Sequence, residues 1–174
     1  MAGIPVGTQV EDTTVPLVRP DESVTETSLS ELVEEKPVLL CFYTADFSPD
    51  CTDEWCSFRD FDWFAAGHDV QVVGSSKSGV GMHHRFIDRY DLSFPLFADT
   101  DLELAETFDV VYRTFGVSKR SRRSCFLLDS DLTVRYRWLG QHWIDPTRDT
   151  PPLSEVYEGV TEALEIENPE TFGF

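Results

Sequence analysis

The stretch PVLLCFYTADFSPDCTDEWC (37–56) changes from one hydrophobic period to another at a single turn. Residues 37–44 are a continuous apolar run of strand length, which is typical of a central strand buried on both faces. After Pro49 the apolar side chains recur with helical spacing. They are Trp55, Phe58, Phe61 and Ala65. The stretch therefore predicts a buried strand that leads directly into an amphipathic helix.

Strand and helix patterns alternate on both sides of this unit. Further strands are expected at 13–19, 70–76 and 94–99, a hairpin at 124–129 and 132–139, and helices at 28–35, 82–92, 102–110 and 153–165. Pro16 favours an edge position for the first strand. This order predicts an α/β fold with a mixed central β-sheet flanked by helices, and a thioredoxin-like fold fits it, although periodicity alone allows other α/β topologies. We expect a single domain over 1–174, with loose termini at 1–12 and 168–174.

The composition narrows the possible partners. Against 14 basic residues the chain has 32 acidic ones, for a formal net charge of −18. Such a surface repels nucleic acid and anionic membranes, so we expect neither as a partner. An acid excess with few lysines is typical of proteins from salt-loaded cytoplasms, which suggests a halophilic archaeal source. The alternative interpretation is an acidic protein from a mesophile.

No secretory signal or membrane-spanning run is recognisable in the sequence, which predicts a cytoplasmic protein. In such a reducing compartment the four cysteines are expected to be catalytic, metal-binding or buried core thiols rather than a disulfide framework.

Cys51 has the sequence context of a reactive thiol. If Ser48 is the N-cap, Pro49 occupies the first helical position and Cys51 the third. The free N–H groups of that turn would stabilise a thiolate, which is the nucleophilic form of cysteine. The neighbouring acids oppose this effect, so a low pKa needs a cation from elsewhere. Arg122 and Arg123, just before the strand at 124–129, are the candidates.

The spacing of Cys51 and Cys56 excludes a disulfide within an intact helix. Two residues five apart on a helix have Cα atoms about 8.7 Å apart and point about 140° away from each other. A disulfide needs a Cα separation of about 4.4–6.8 Å. If the two cysteines pair, the first turns of the helix must unwind.

The segment FYTADFSPDCTDEWCSFRDF (42–61) resembles the active-site segment of the peroxiredoxins, in particular the atypical two-cysteine subgroup related to bacterioferritin comigratory protein. The similarity continues through VVGSS, HHRFIDRYDLSFPLFADTD and RSCFLLDSD, and so covers roughly residues 37–140. The motif C-x-x-E, followed by a second cysteine and F-R-D, is more specific than an isolated C-x₄-C pair.

The resemblance implies a role for each matching residue. Cys51 takes the place of the peroxidatic cysteine and Cys56 that of the resolving cysteine. Ser48 retains the hydroxyl that contacts peroxide, and Arg123 matches the family's arginine.

Two further positions of the motif lie nearby. Glu54 matches an acid that organises the first helical turn. Thr44 replaces a proline that shields the sulfur, which puts the peroxide rate and the resistance to over-oxidation in question.

The implied activity is reduction of hydrogen peroxide or alkyl hydroperoxides through a Cys51 sulfenic acid. Cys56 would resolve this acid as an intramolecular disulfide, and a thioredoxin-like reductant would recycle it. We expect no cofactor and no metal, and either a monomer or a homodimer. Two other interpretations use the same cysteine pair: a non-catalytic redox sensor, and a thiol–disulfide exchange or holding protein. Cys41 and Cys125 are expected to be small core residues.

Overall fold

A computed structural model describes residues 3–66, 69–114, 118–140 and 150–167. The strands are β1 (Thr14–Val18), β2 (Val24–Ser28), β3 (Val38–Phe42), β4 (Gln71–Ser76), β5 (Leu96–Ala98), β6 (Val111–Thr114), β7 (Ser118–Ser121), β8 (Ser124–Leu128) and β9 (Val134–Leu139). The helices are α1 (Leu29–Val33), α2 (Pro49–Asp60), α3 (Asp62–Ala66), α4 (Val80–Tyr90), α5 (Glu103–Thr107) and α6 (Leu153–Glu167).

Among the described residues, seven strands form one mixed sheet in the order β2-β1-β5-β4-β3-β8-β9. The strand β3 is central: it pairs in parallel with β4 and antiparallel with β8. All five of its residues are buried, as the apolar run predicted. The thioredoxin-like fold with a mixed sheet flanked by helices is therefore confirmed.

The sheet separates two hydrophobic cores, and alternate residues of β3 face each of them. Val38, Leu40 and Phe42 join the core that includes residues of α1 and α5. Leu39 and Cys41 join the core that includes residues of α2, α4 and α6. This alternation follows from the two-residue period of a strand. It places the second core directly beneath the helix that carries Cys51.

Helix α2 lies very close to the sheet because of a glycine. A Cβ added at Gly74 of β4 would lie 2.5 Å from Cζ2 of Trp55 and 2.6 Å from Cδ2 of Leu96. A residue other than glycine would push Trp55, and with it α2, away from the sheet. Trp55 is fully buried there and packs against Tyr43 and Phe58.

Several sequence expectations need correction. The strand β2 and the β6–β7 hairpin were not predicted, since both are short and rich in polar residues. The strand β1 is not an edge strand, because β2 and β5 flank it. Pro16 is nevertheless tolerated, since only Leu17 and Val18 pair with β5. The helix predicted as continuous to Ala65 is broken at Phe61, which ends α2 with an extended backbone.

The N-terminal segment is more firmly attached than predicted. Gly3 and Ile4 donate backbone hydrogen bonds to Asp109 and Phe108, and Val10 donates one to Leu132. The described part of the 1–12 segment therefore packs on the domain, whereas the segment predicted to be loose at 168–174 lies outside the described residues. No helix within the described ranges combines the length and the hydropathy needed to cross a membrane.

Candidate active site

The turn between β3 and α2 places Cys51 as predicted. Ser48 is the N-cap residue, with φ −67° and ψ 143°, and Pro49 begins the helix. The Ser48 hydroxyl does not cap the helix; it donates to the carbonyl oxygen of Ala45 at 3.3 Å. Cys51 is thus in the first turn of α2, and its side chain is fully buried.

A guanidinium from a distant part of the chain reaches the Cys51 sulfur. Arg123 lies between β7 and β8, 72 residues beyond Cys51 in the chain, and its Nη2 donates to Sγ at 2.8 Å. Its Nη1 donates to Oε2 of Glu54 at 2.7 Å. Arg123 is 1% exposed, so both contacts lie in a region shielded from water. Of the two candidate arginines, Arg123 is the one that this structure brings to the sulfur.

The electrostatic expectation for Cys51 is wrong in one respect. Burial raises the pKa of the Cys51 thiol above its ordinary value, and this effect exceeds the lowering caused by Arg123. Glu54 raises this pKa further, whereas the Ala45 backbone N–H and the Ser48 hydroxyl lower it. The sequence indicated the groups that stabilise the Cys51 thiolate, but it did not indicate that the sulfur is completely buried. Because burial disfavours the charged form, the net shift of the Cys51 pKa is upward rather than downward.

Glu54 is a buried acid that shares the arginine with Cys51. Burial raises the pKa of Glu54 to about 7, although Arg123 lowers it. One oxygen, Oε2, accepts from Arg123, while Oε1 has no hydrogen-bond partner among the described residues. At neutral pH this carboxyl group therefore holds a proton more readily than an ordinary glutamate does.

The remaining predicted site residues have separate positions. Thr44 is buried next to the turn, and its hydroxyl has no partner within the described part of the chain. Cys56 is half-buried on the intact helix α2. All four cysteines are described, and all are free thiols.

Cys41 and Cys125 are directly opposite each other on β3 and β8. Both are fully buried, and burial raises the pKa of Cys41 well above its ordinary value. A thiol of this kind is a poor nucleophile, as expected for a core residue.

The sequence interpretation missed a buried polar cluster behind the turn. Asp46 accepts a hydrogen bond from Tyr43 and shares a second hydrogen bond with Nδ1 of His83 on α4. In the sequence, Asp46 could be recognised only as one of several acids near Cys51. His83 is 37 residues away, and without the topology nothing in the one-dimensional pattern connects the two.

These observations define the class to which the protein belongs. A thioredoxin-like sheet with a cysteine in the first turn of the helix after its central strand, and a guanidinium on the sulfur, is the architecture of a thiol-based redox protein.

The comparisons with known proteins narrow the class further. The AhpC/TSA family matches residues 6–137. Peroxiredoxin Bcp of Bacillus subtilis is 35% identical over 106 residues, which cover 59% of this chain and 68% of that protein. The chloroplastic peroxiredoxin Q of Triticum aestivum is 31% identical over 121 residues, which cover 70% of this chain and 54% of that protein.

A solved structure shows the same fold at lower identity. The crystal structure of peroxidoxin BcpB from Mycobacterium tuberculosis aligns with a TM-score of 0.74 and 24% identity, over 94% of this chain and 98% of that one. The chain belongs to the AhpC/TSA family and is a peroxiredoxin similar to Bcp and peroxiredoxin Q. Membership of this family implies thiol-dependent peroxidase activity.

Proposed function

We propose that this protein is a cytoplasmic peroxidase that reduces hydrogen peroxide and alkyl hydroperoxides with Cys51 as the nucleophile. The observation that supports this most directly is the 2.8 Å contact between Arg123 Nη2 and Cys51 Sγ. A fixed guanidinium at a buried sulfur can stabilise both a thiolate and the negative charge that develops on a departing oxygen.

In the first step the Cys51 thiolate attacks one peroxide oxygen along the O–O bond. A sulfur–oxygen bond forms, the O–O bond breaks, and the second oxygen leaves with the electron pair as hydroxide or alkoxide and takes up a proton. The sulfur loses two electrons and becomes a sulfenic acid. Arg123 and the Ser48 hydroxyl would stabilise the leaving oxygen, and the Thr44 hydroxyl, which is buried and has no partner among the described residues, would donate to the bound peroxide.

In the second step Cys56 condenses with the sulfenic acid. Its sulfur replaces the hydroxyl on Cys51, and water leaves as the disulfide forms. Because both cysteines lie on the intact helix α2, its first turns must unwind before the sulfurs can meet. A thioredoxin-like dithiol would then reduce the disulfide by exchange and restore the peroxidase.

Intact mass spectrometry after one equivalent of hydrogen peroxide tests both steps. The parent protein should lose two hydrogens, a mass change of about 2 Da. Cys56→Ser should instead accumulate a sulfenic acid that dimedone traps, and Cys51→Ser should not react. The control Cys125→Ala changes another of the four thiols and should behave as the parent does. A Cys51→Ser variant that still loses two hydrogens, or a Cys56→Ser variant that still cycles with thioredoxin, would refute the assigned roles.

Turnover separates the enzyme from a sensor or an exchange protein. With thioredoxin, its reductase and NADPH, a peroxidase consumes many equivalents of peroxide per protein molecule. A second-order rate with peroxide no greater than that of free cysteine would refute the proposal.

A further inference from the structure

Behind the active-site turn lies a fully enclosed polar cluster that the proposed chemistry does not use. The Asp46 and His83 side chains are both 0% exposed. His83 Nδ1 lies 2.6 Å from Asp46 Oδ2, and its Nε2 lies 2.9 Å from the carbonyl oxygen of Phe97 on β5. The Tyr43 hydroxyl donates to the other oxygen of Asp46. The cluster joins the end of β3, the turn, helix α4 and strand β5.

The geometry fixes the number of protons in this cluster. A carbonyl oxygen can only accept, so His83 Nε2 must carry a hydrogen that it donates to Phe97. A second proton must lie between His83 Nδ1 and Asp46 Oδ2, since two lone pairs 2.6 Å apart would repel each other. The pair is therefore either an imidazolium with a carboxylate or a neutral imidazole with a carboxylic acid. In both forms the hydrogen bond between His83 Nδ1 and Asp46 Oδ2 is made, and the pair has no net charge.

The residues on either side of Asp46 connect this bond to the catalytic sulfur. The backbone N–H of the preceding residue, Ala45, is one of the two donors in the turn that favour the Cys51 thiolate. The following residue, Phe47, has a φ of 67°, in the left-handed region that is unfavourable for a residue other than glycine. The backbone N–H of Asp46 also donates to Ser78 Oγ at 3.0 Å. A strained turn of this kind persists only where neighbouring contacts hold it.

We propose that Asp46 and His83 are positioning residues of the peroxide site, which hold the 44–48 turn so that the Ala45 N–H faces the Cys51 sulfur. Neither residue touches the sulfur or the substrate. The inference deepens the proposed function and rests on it. Because the cluster is anchored on α4 and β5, it would also keep this half of the site in place while the first turns of α2 unwind.

The test measures how the rate of Cys51 alkylation by iodoacetamide depends on pH, in the Cys56→Ser background. In Asp46→Asn and His83→Asn the pKa of Cys51 should rise, because the Ala45 donor is no longer held at the sulfur. The charge of Asp46 alone predicts the opposite, since loss of a nearby negative charge would lower the pKa of a thiol. The peroxide rate at pH 7 should fall about tenfold or more, as about 1 Å of misplacement can cost 10²-fold.

Two further variants make the test decisive. His84→Asn, at the half-buried neighbour of His83 outside the cluster, should leave both readouts unchanged. If Asp46→Asn does not fold, Tyr43→Phe removes one bond of the cluster and should shift the profile in the same direction by a smaller amount. Folded variants with an unshifted alkylation profile would overturn the inference. Alkylation uses no peroxide, so this result is independent of whether the parent proves to be a peroxidase.

Discussion

The guanidinium of Arg123 is shared between two groups that both bind it best as anions. Its Nη2 contacts Cys51 and its Nη1 contacts Glu54, and all three side chains are buried. A charged Glu54 disfavours a charged Cys51, since like charges in a water-poor site repel each other strongly. With the pKa of Glu54 raised to about 7, the thiolate is easiest to form while this carboxyl group keeps its proton.

Glu54→Gln should therefore lower the pKa of Cys51, because it removes the negative charge and retains a side chain of the same shape. The pH dependence of alkylation or of thiolate absorbance measures this. Asp53→Asn, which neutralises an exposed acid on the same helix, should have little effect. A Cys51 pKa that is unchanged or higher in Glu54→Gln would contradict the coupling.

The raised pKa of Glu54 also predicts how the free energy of unfolding depends on pH. The ordinary pKa of this carboxyl group is 4.5 and its folded value is about 7, so the folded protein binds more protons than the unfolded chain between these values. The contribution of Glu54 to the free energy of unfolding is therefore fully present below pH 4.5 and is lost as the pH rises to about 7. Urea titrations at several pH values across this range should show that the parent loses more free energy of unfolding than Glu54→Gln does. If the free energy of unfolding has the same pH dependence in both proteins, the raised pKa is refuted.

The sequence indicated those features of the site that are local in the chain. Ser48, Pro49 and Cys51 could be placed from capping rules alone, and the family resemblance supplied Arg123. The direction of the Cys51 pKa shift could not be foreseen, because it depends on how completely the surrounding core buries the sulfur. The Asp46–His83 pair was missed for the same reason, since two distant residues meet only through the sheet topology.

Helix α2 must meet two structural requirements that exclude each other. While it is intact, its first turn holds Cys51 against Arg123 and its Trp55 packs on Gly74. For the disulfide the first turns must unwind, yet Trp55 and Phe58 are fully buried anchors in the same helix. We infer that the helix unwinds only as far as the Trp55 and Phe58 side chains can stay in the core, and that the rest of the domain keeps its structure.

Hydrogen exchange should reveal this local opening. After one equivalent of peroxide, the amides of residues 52–56 should lose protection about tenfold or more, while those of α4 and β3 should not change. Cys56→Ser treated in the same way provides the control, because it forms the sulfenic acid but cannot form the disulfide. Full protection of residues 52–56 in a protein shown by mass to contain the Cys51–Cys56 disulfide would exclude unwinding of the helix.

Strand patterns at the centre of the sheet were predicted better than those at its margins. The strand β3 is buried on both faces, so its whole sequence is apolar and its identity is clear. The strand β2 at the edge has exposed residues at three of its five positions, and the β6–β7 hairpin lies outside the main sheet. Their sequences are constrained by local pairing rather than by burial, which leaves little hydrophobic signal to recognise.

The net charge of −18 predicts how the thermal stability of the protein depends on salt. Self-repulsion among surface acids opposes the compact state, and salt screens it: the Debye length falls from about 10 Å at 0.1 M to about 3 Å at 1 M. The thermal midpoint should therefore rise steeply between 0.1 M and 1 M KCl and then level off. A halophilic origin would place the working range of the protein on the upper part of this curve.

A charge-reversal variant distinguishes screening from a general effect of salt on hydrophobic burial. Glu34 and Glu35 are exposed at the end of α1, and changing both to lysine reduces the magnitude of the net charge by about four. This variant should be more stable than the parent at 0.1 M KCl and should gain less from added salt, because less repulsion is left to screen. Strengthened hydrophobic burial would instead raise the thermal midpoints of both proteins equally, and these midpoints would not level off. Parallel curves for the two proteins would thus show that self-repulsion does not limit the stability of this chain.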